Sequence, residues 1–422
     1  MKCKVDKSRL SGKISCPPNK SYTHRAVFLA SLAGGKSTVR NALLSRDTLA
    51  TINACRIFGS KITADGSTLT IEGTGSVNPT SPEIDASNSG TTIRIASAIA
   101  SLADSKITLT GDASLKKRPM QPLLDALSKM GARCTSNGGT PPLTVTGRIP
   151  GGTTSIPGSV SSQFISALFI AAPMTEKGIT LEIEGVMVSK PYLDATVATM
   201  KKFGVSVDAV IPYKKYIIPR QDYIPTDFTV PADFSSMALL LSAAVLVGDN
   251  MEIAAPIGDL PQGDREMITH LERMGVKVSI GDTVKVTVPQ KLAGGRFDLA
   301  NTPDLLPPLA ILTLKSSSPI EIYNVKHARF KETDRIAILA RELAKIGVDV
   351  KEKEDGLVLG PPVSTTGAEL DSADDHRLFM AFCIAGMFVG DCTVTDSESV
   401  DVSYPEFISE MKRTGAKITV KS

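Results

Sequence analysis

A bulky residue followed by glycine recurs through this chain: Phe58-Gly59, Met130-Gly131, Phe203-Gly204, Met274-Gly275, Ile346-Gly347 and, with threonine in the first place, Thr414-Gly415. The spacing of roughly 70 residues is too long for a solenoid unit and long enough for a small α/β subdomain. Before each glycine runs a helical pattern, as in Leu123-Leu124-Asp125-Ala126-Leu127-Ser128-Lys129-Met130. After it comes a short alternating strand, as in Val276-Lys277-Val278-Ser279-Ile280. Earlier in each repeat a small polar cluster opens an apolar helix: Lys20-Ser21, Asn88-Ser89-Gly90, Ser161-Ser162-Gln163, Asp233-Phe234-Ser235-Ser236, Pro303-Asp304 and Asp375-His376-Arg377. Each repeat therefore presents two helix N-termini, whose unpaired N–H groups and dipoles favour anions.

Six such repeats in 422 residues exceed one ordinary core and divide into two domains, three repeats each. The net charge of +3 is near neutral for this length and argues against a general nucleic-acid binder. The six cysteines (3, 16, 55, 134, 383, 392) contain no C-x-x-C pair, so neither a zinc site nor a disulfide framework is indicated, and cytoplasmic residence fits. Met1-Lys2-Cys3-Lys4-Val5 alternates like a strand, not a signal peptide. Residues 1–16 read as an edge contributed to something assembled later. The longest apolar runs, such as Leu239 to Val247, are too short to span a bilayer. Pro212 to Pro231, rich in Pro and Tyr, reads as a linker. Gly34-Gly35-Lys36-Ser37-Thr38 lacks the earlier glycine of a P-loop, that place being Ala30, and it ends a helix.

The polar openings carry the chemistry. Ser21 and Arg25 are helical i,i+4 neighbours with Lys20 beside them, a group suited to phosphate or carboxylate and equally to a solvated basic turn. Gly90 lets a ligand approach the backbone, with Arg94 one turn in. Arg118 precedes Pro119 at a helix entrance. Ser161-Ser162-Gln163 and Ser189-Lys190-Pro191-Tyr192 offer neutral groups for sugar-like hydroxyls or for capping alone. The fourth repeat, with Gln262-Gly263-Asp264-Arg265, has fewer cations and reads as structural. In the fifth, Asp304 lies at a helix mouth, and Lys331 and Arg335 stand one turn apart at the start of another helix, Glu332 beside Arg335, a pattern that a salt-bridged surface helix also gives. A carboxylate among cations stays ionised until a substrate anion raises its pKa, and can then serve as acid or base.

Together, Lys20-Ser21-x-x-x-Arg25, Asn88-x-Gly90-Thr91-x-x-Arg94, Arg118-Pro119-Met120, Ser161-Ser162-Gln163, Ser189-Lys190-Pro191-Tyr192, Pro303-Asp304, Lys331-Glu332-Thr333-Asp334-Arg335 and Asp375-His376-Arg377 resemble the 5-enolpyruvylshikimate-3-phosphate synthase family over the whole chain. The resemblance implies a two-domain inside-out α/β barrel of six βαβαββ repeats, with residues 1–18 joining 230–422 and residues 19–229 inserted between them. It implies transfer of the enolpyruvyl group of phosphoenolpyruvate to the 5-hydroxyl of shikimate 3-phosphate, with closure over the substrates. On this resemblance Lys20, Ser21, Arg25, Ser161, Ser162, Gln163, Ser189, Tyr192, Asp304, His327 and Lys331 hold shikimate 3-phosphate. Lys20, Gly90, Thr91, Arg94, Arg118, Gln163, Arg335 and Arg377 hold phosphoenolpyruvate. Asp304, Glu332 and Lys20 divide the proton transfers. No metal or organic cofactor is expected, and the four histidines (24, 270, 327, 376) lack ligand spacing. The expected partners are the two small molecules, with no nucleic acid and no membrane, and the expected state is a monomer.

Two departures stand out. Val402 occupies the place where the family often has a Lys touching the leaving phosphate, so phosphoenolpyruvate binding is weaker or Lys412 or Arg413 compensates. His327 stands where some relatives have Asn. Gly90 is kept at the position that implies glyphosate sensitivity, and Ile95 in place of a common Pro is expected to temper it. The sugar-nucleotide enolpyruvyl transferases carry Lys-Asn and a loop Cys where this chain has Lys20-Ser21 and Ala113 to Lys117 without Cys. A non-catalytic clamp for an anionic polymer is disfavoured by the near-neutral charge and by only seven Tyr and thirteen Phe.

Overall fold

The structure is a computed structural model that describes residues 1–421. It contains six four-stranded sheets with one strand order. In one, Gly152–Pro157 runs parallel to Ile179–Glu184, which pairs antiparallel with Lys215–Ile218, and Asp208–Ile211 forms the outer hairpin strand. The equivalent sets are Glu83–Asp85, Lys106–Thr110, Thr140–Thr146 and Arg133–Asn137 in the second repeat, and Gly295–Asp298, Ile320–Tyr323, Gly356–Gly360 and Asp349–Lys353 in the fifth.

The chain forms two compact units. One is Pro18–Pro231 with Asp259–Pro261. The other joins Met1–Pro17, Ala232–Gly258 and the chain from Gln262 onward. Each has its own apolar core. Three strands reach their sheets from a distance in sequence. Leu10–Ser15 pairs parallel to Gly248–Ala254 as the first strand of the fourth repeat, and Asp227–Thr229 does the same for Gly34–Arg40 in the first. Lys2–Asp6 is not an edge strand. It lies between Cys392–Thr395 and Lys417–Lys421, antiparallel to both, with Cys3 and Val5 fully buried. The alternation in its sequence describes a strand with one buried face, and both of its hydrogen-bonding edges are also occupied. The Pro- and Tyr-rich stretch 212–231 is likewise no linker, since it supplies Lys215–Ile218 and Asp227–Thr229, and Tyr223 is buried with its hydroxyl donating to the Ile170 carbonyl at 2.9 Å.

Among the described residues, twelve α-helices alternate in role: α1 (Lys20–Leu32), α2 (Arg46–Ile57), α3 (Gly90–Ala100), α4 (Gln121–Lys129), α5 (Ser162–Ala171), α6 (Lys190–Lys202), α7 (Phe234–Val247), α8 (Glu266–Arg273), α9 (Leu306–Ile311), α10 (Arg335–Lys345), α11 (His376–Val389) and α12 (Phe407–Arg413). The odd-numbered ones are buried nearly all round, and α3 and α7 are so at every residue. The even-numbered ones bury one face and expose the other, as α8 does with Met267 and Leu271 inward.

All six even-numbered helices stop in the same way. Gly59, Gly131, Gly204, Gly275, Gly347 and Gly415 each occupy the position after the C-cap with φ between +81° and +113°. At α4, Gly131 N–H donates to Ser128 O at 3.0 Å and Ala132 N–H to Leu127 O at 3.2 Å, the Schellman pair of bonds, and the other five repeat it. Asn19, Ser89, Ser161, Asp233 and Asp375 cap five of the odd-numbered helices through their side chains. The fifth repeat differs: Pro303–Leu305 forms a 3-10 turn that leads into α9, and Thr302 makes no side-chain cap bond.

Candidate active site

In the unit of residues 18–231, the polar openings of α1, α3 and α5 are tied together by side chains. Gln163, in the first turn of α5, donates from Nε2 to Thr91 Oγ1 at 3.0 Å and accepts a short bond from Arg94 Nη1. The Arg94 guanidinium also lies 5.0 Å over the Phe164 ring. Arg118 is 6% exposed, and its Nη1 lies 2.9 Å from where a Cβ on Gly90 would stand; Arg94 Nη1 lies 3.0 Å from the same point. Glycine is therefore needed there to keep two guanidinium groups against the N-terminus of α3.

Lys20 extends to Asp47 at 2.9 Å, both nearly buried. Asp47 belongs to the first turn of α2, and its backbone carbonyl accepts from Thr92 of α3 at 3.4 Å. Arg25 is 2% exposed. It donates from Nε to Thr196 Oγ1 at 2.8 Å, and from Nη1 and Nη2 to the carbonyls of Ser21 and Tyr192, both at 2.9 Å. Burial lowers its pKa to about 10, against the opposing pull of Tyr22 and Tyr192, so it remains a cation at neutral pH. A buried cation held by neutral acceptors is poised for an anion. Ser189 takes the left-handed conformation (φ 56°) that turns the chain into α6, where Tyr192 follows. Ser161 caps α5, and Ser162 opens it.

In the other unit, three cations converge on Asp304, which is 9% exposed. Arg335 Nη1 donates to Oδ1 at 2.8 Å, Lys331 Nζ lies 3.6 Å from the same oxygen, and Arg377 Nη2 lies 3.2 Å from Oδ2. Arg335 is 1% exposed and spends its remaining nitrogens on Asp375 Oδ2 (Nε, 2.7 Å) and Glu332 Oε2 (Nη2, 2.7 Å). Burial opposes its charge, but Asp375, Glu332 and Asp304 more than offset that, and its pKa is raised. Asp375 Oδ1 also accepts from the N–H of Arg377 at 2.9 Å, so one carboxylate caps α11 and anchors Arg335. Arg335, expected at phosphoenolpyruvate, is thus engaged with carboxylates on all three sides of its fork.

Lys331 and Glu332 precede α10 instead of lying on it. Asp334 caps that helix by accepting from Ala337 N–H at 3.0 Å, so the helix begins only at Arg335. His327, on the 3-10 turn Lys326–Phe330, is pushed down to about pKa 4 by burial and then by Lys331, and is neutral at pH 7. Val402 is 1% exposed, an apolar place in this chain. Arg413 is committed to Glu410 at 2.7 Å and to the Lys13 carbonyl at 2.7 Å.

Three residues of these clusters were not legible in the sequence. Asp47 pairs with Lys20 across 27 residues, and Thr196 meets Arg25 across 171, with no local signal for either. Asp264 lies in the fourth repeat, whose few cations read as structural, and its carboxyl feels Asp304. It is 4% exposed and accepts a short bond from the Ser235 hydroxyl. Its pKa is pushed up to about 7 by burial, then by Asp304, against the pull of Ser235 and Arg377. Its position in a Gln-Gly-Asp turn after a Pro was the available clue.

Residues 5–411 match the family model described as EPSP synthase (3-phosphoshikimate 1-carboxyvinyltransferase). The 3-phosphoshikimate 1-carboxyvinyltransferase of Nitrosopumilus maritimus is 64% identical over 419 residues, 99% of each chain. That of Methanococcus maripaludis (strain C7) is 40% identical over 98% of each. Among solved structures, EPSP synthase from Acinetobacter baumannii superposes with a TM-score of 0.82 at 26% identity, covering 100% of both chains. Among the described residues no helix is long and apolar enough to cross a membrane, and no group of three or more His, Cys, Asp or Glu is arranged to hold a metal ion.

Proposed function

The chain belongs to the EPSP synthase family, and on that premise we propose how its residues divide the work of the family's reaction. The reaction itself is the transfer of the enolpyruvyl group of phosphoenolpyruvate to the 5-hydroxyl of shikimate 3-phosphate, a step of the shikimate pathway, and this chain is a transferase of that kind with the family's two-domain inside-out α/β barrel.

Shikimate 3-phosphate is assigned to Lys20, Ser21, Arg25, Ser161, Ser162, Gln163, Ser189, Tyr192, Asp304, His327 and Lys331. Phosphoenolpyruvate is assigned to Lys20, Gly90, Thr91, Arg94, Arg118, Gln163, Arg335 and Arg377. The assignments are supported by the buried cations Arg25 and Arg118 and by the cradle of guanidinium nitrogens around Gly90. Neutral His327 offers a hydrogen bond to the sugar phosphate without adding charge. The chain is taken to act as a cytoplasmic monomer on these two small molecules, with no nucleic-acid partner.

The proton transfers follow from the carboxylate cluster. In the addition step, the 5-hydroxyl oxygen attacks C2 of phosphoenolpyruvate. Asp304 takes the hydroxyl proton and Glu332 delivers a proton to the C3 methylene, giving a tetrahedral adduct. In the elimination step, Glu332 takes a proton back from the new methyl group, the bond from C2 to the phosphate oxygen breaks, and Lys20 supplies a proton to the departing phosphate. The observation that carries this reading is the pair of bonds from one buried guanidinium, Arg335, to Asp304 and to Glu332. It holds the two proton-handling groups in one frame. An arriving anion that draws Lys331 or Arg377 away from Asp304 raises the basicity of that carboxylate as the hydroxyl arrives.

The test is phosphate release with both substrates, run beside Glu332→Ala and Lys20→Met. Turnover that collapses in both variants supports the division of roles. Turnover surviving in either removes that residue from the proton path.

A further inference from the structure

Arg329 stands two residues before Lys331 and three before Glu332, on the 3-10 turn Lys326–Phe330. All three of its guanidinium nitrogens are engaged. Nε donates to the Glu354 carbonyl at 2.9 Å, Nη1 to Asp334 Oδ2 at 2.7 Å, and Nη2 to Glu352 Oε1 at 2.8 Å and to the Lys353 carbonyl at 2.7 Å. Asp334 is the residue whose other oxygen caps α10. One side chain therefore joins the residue before the Lys331–Glu332 stretch to the residue after it. It also ties both ends to the hairpin of Asp349–Lys353 and Gly356–Gly360. Lys326 adds a second tie to the same hairpin through Glu354 at 2.5 Å.

The stretch between those ties needs the help. Lys331 and Glu332 lie outside any helix or strand, with Lys331 at φ −82° and ψ −147°, so no ladder of backbone hydrogen bonds holds them. Phe330 between them and Arg329 is 54% exposed and packs little. An unbraced stretch of this kind samples several backbone states per residue.

We propose that Arg329 is a positioning residue for enolpyruvyl transfer, bracing the loop 329–334 at both ends so that Lys331 is held toward Asp304 and Glu332 toward Arg335. The inference rests on the roles assigned above to Lys331 and Glu332. A planar fork suits it, because four acceptors from four different residues surround one flat group. An ammonium at the end of a flexible stem keeps the charge and loses that geometry. Displacing a reacting group by about 1 Å costs on the order of 100-fold in rate, so the effect of losing the brace falls on turnover more than on folding.

The experiment compares Arg329→Met and Arg329→Lys with Lys331→Met and Glu332→Gln in steady-state kinetics with both substrates, alongside thermal melting. Arg329→Met is expected to lower kcat by about 10- to 100-fold and to raise the KM for shikimate 3-phosphate severalfold, leaving the KM for phosphoenolpyruvate within about twofold. Arg329→Lys falls between it and the wild type. A purely structural arginine would not produce this split between the two substrates. Should Arg329→Met not fold, Arg329→Lys and Glu352→Gln are read for the same split. If kcat and both KM values stay within about twofold of wild type in the folded variants, while Lys331→Met and Glu332→Gln collapse, the bracing role is overturned and the assigned roles stand. If Lys331→Met and Glu332→Gln turn over normally, those roles fail and this inference falls with them.

Discussion

Asp304 Oδ1 receives the Nη1 of Arg335 at 2.8 Å from a guanidinium that is only 1% exposed. The same group binds Asp375 and Glu332, so three carboxylates from three parts of the chain share one buried charge, which Lys331 and Arg377 supplement at Asp304. Pairs of this kind are costly to break from one side, because the surviving charges stay buried without compensation.

Arg335→Met is accordingly expected to destabilise the protein by about 3–5 kcal/mol and to abolish turnover, since it releases the carboxylates assigned to both proton transfers. Thermal melting checks the first part, and a melting temperature equal to wild type would sink it.

Asp264 gives a pH signature. Its carboxyl is raised from the ordinary 3.8 to about 7, first by burial and then by Asp304. The folded protein therefore binds its proton more tightly than the unfolded chain does. The stabilisation that follows is complete below about pH 4 and is lost as pH rises through about 7. Asp264→Asn removes this dependence, so the variant gains stability relative to wild type on going from pH 5 to pH 8. A difference in melting temperature that stays constant over that range would refute the assignment.

Gly90→Ala places a Cβ 2.9 Å from Arg118 Nη1 and 3.0 Å from Arg94 Nη1. Both are ends of flexible side chains, so the protein folds and the guanidinium groups shift outward. The KM for phosphoenolpyruvate is expected to rise severalfold with little change in the KM for shikimate 3-phosphate. The wild type, which keeps Gly90, is expected to be inhibited by glyphosate competitively with phosphoenolpyruvate, and the variant less so. An inhibition constant for wild type far above its KM for phosphoenolpyruvate would contradict this.

Gly131 tests the stop signal by itself. It has φ +106° and open space around any added Cβ, so Gly131→Ala meets backbone strain and no clash. The expected cost is about 1–2 kcal/mol, visible as a lower melting temperature with unchanged KM values. An unchanged melting temperature would mean that the helix end relaxes freely.

The repeat was legible because its punctuation is local. A glycine after each even-numbered helix and a small polar cap before most odd-numbered ones act within a few residues of themselves, and they left the same mark at Gly59 and at Gly415. The i,i+3 pairing of Glu332 with Arg335 and the turn from Ser21 to Arg25 were readable for the same reason. Even there, capping by Asp334 leaves Lys331 off the helix that spacing alone gave it.

Long-range partners carried no such mark. Asp375 meets Arg335 across 40 residues, and Asp47 meets Lys20 across 27. Which carboxylate pairs with which cation depends on where six similar units pack, and nearly identical local patterns cannot distinguish the pairings.

By itself, the sequence determined the local conformations, the six-fold period and the order of motifs that place the chain in its family, because these depend on propensity, capping and residue type. Tertiary structure alone decided that Lys2–Asp6 is an interior strand, that the Asp264 carboxyl is raised by burial and by Asp304, and that Arg335 serves three carboxylates. Those outcomes arise from burial and from the summed charge of groups distant in sequence, and such quantities exist only once the chain is packed.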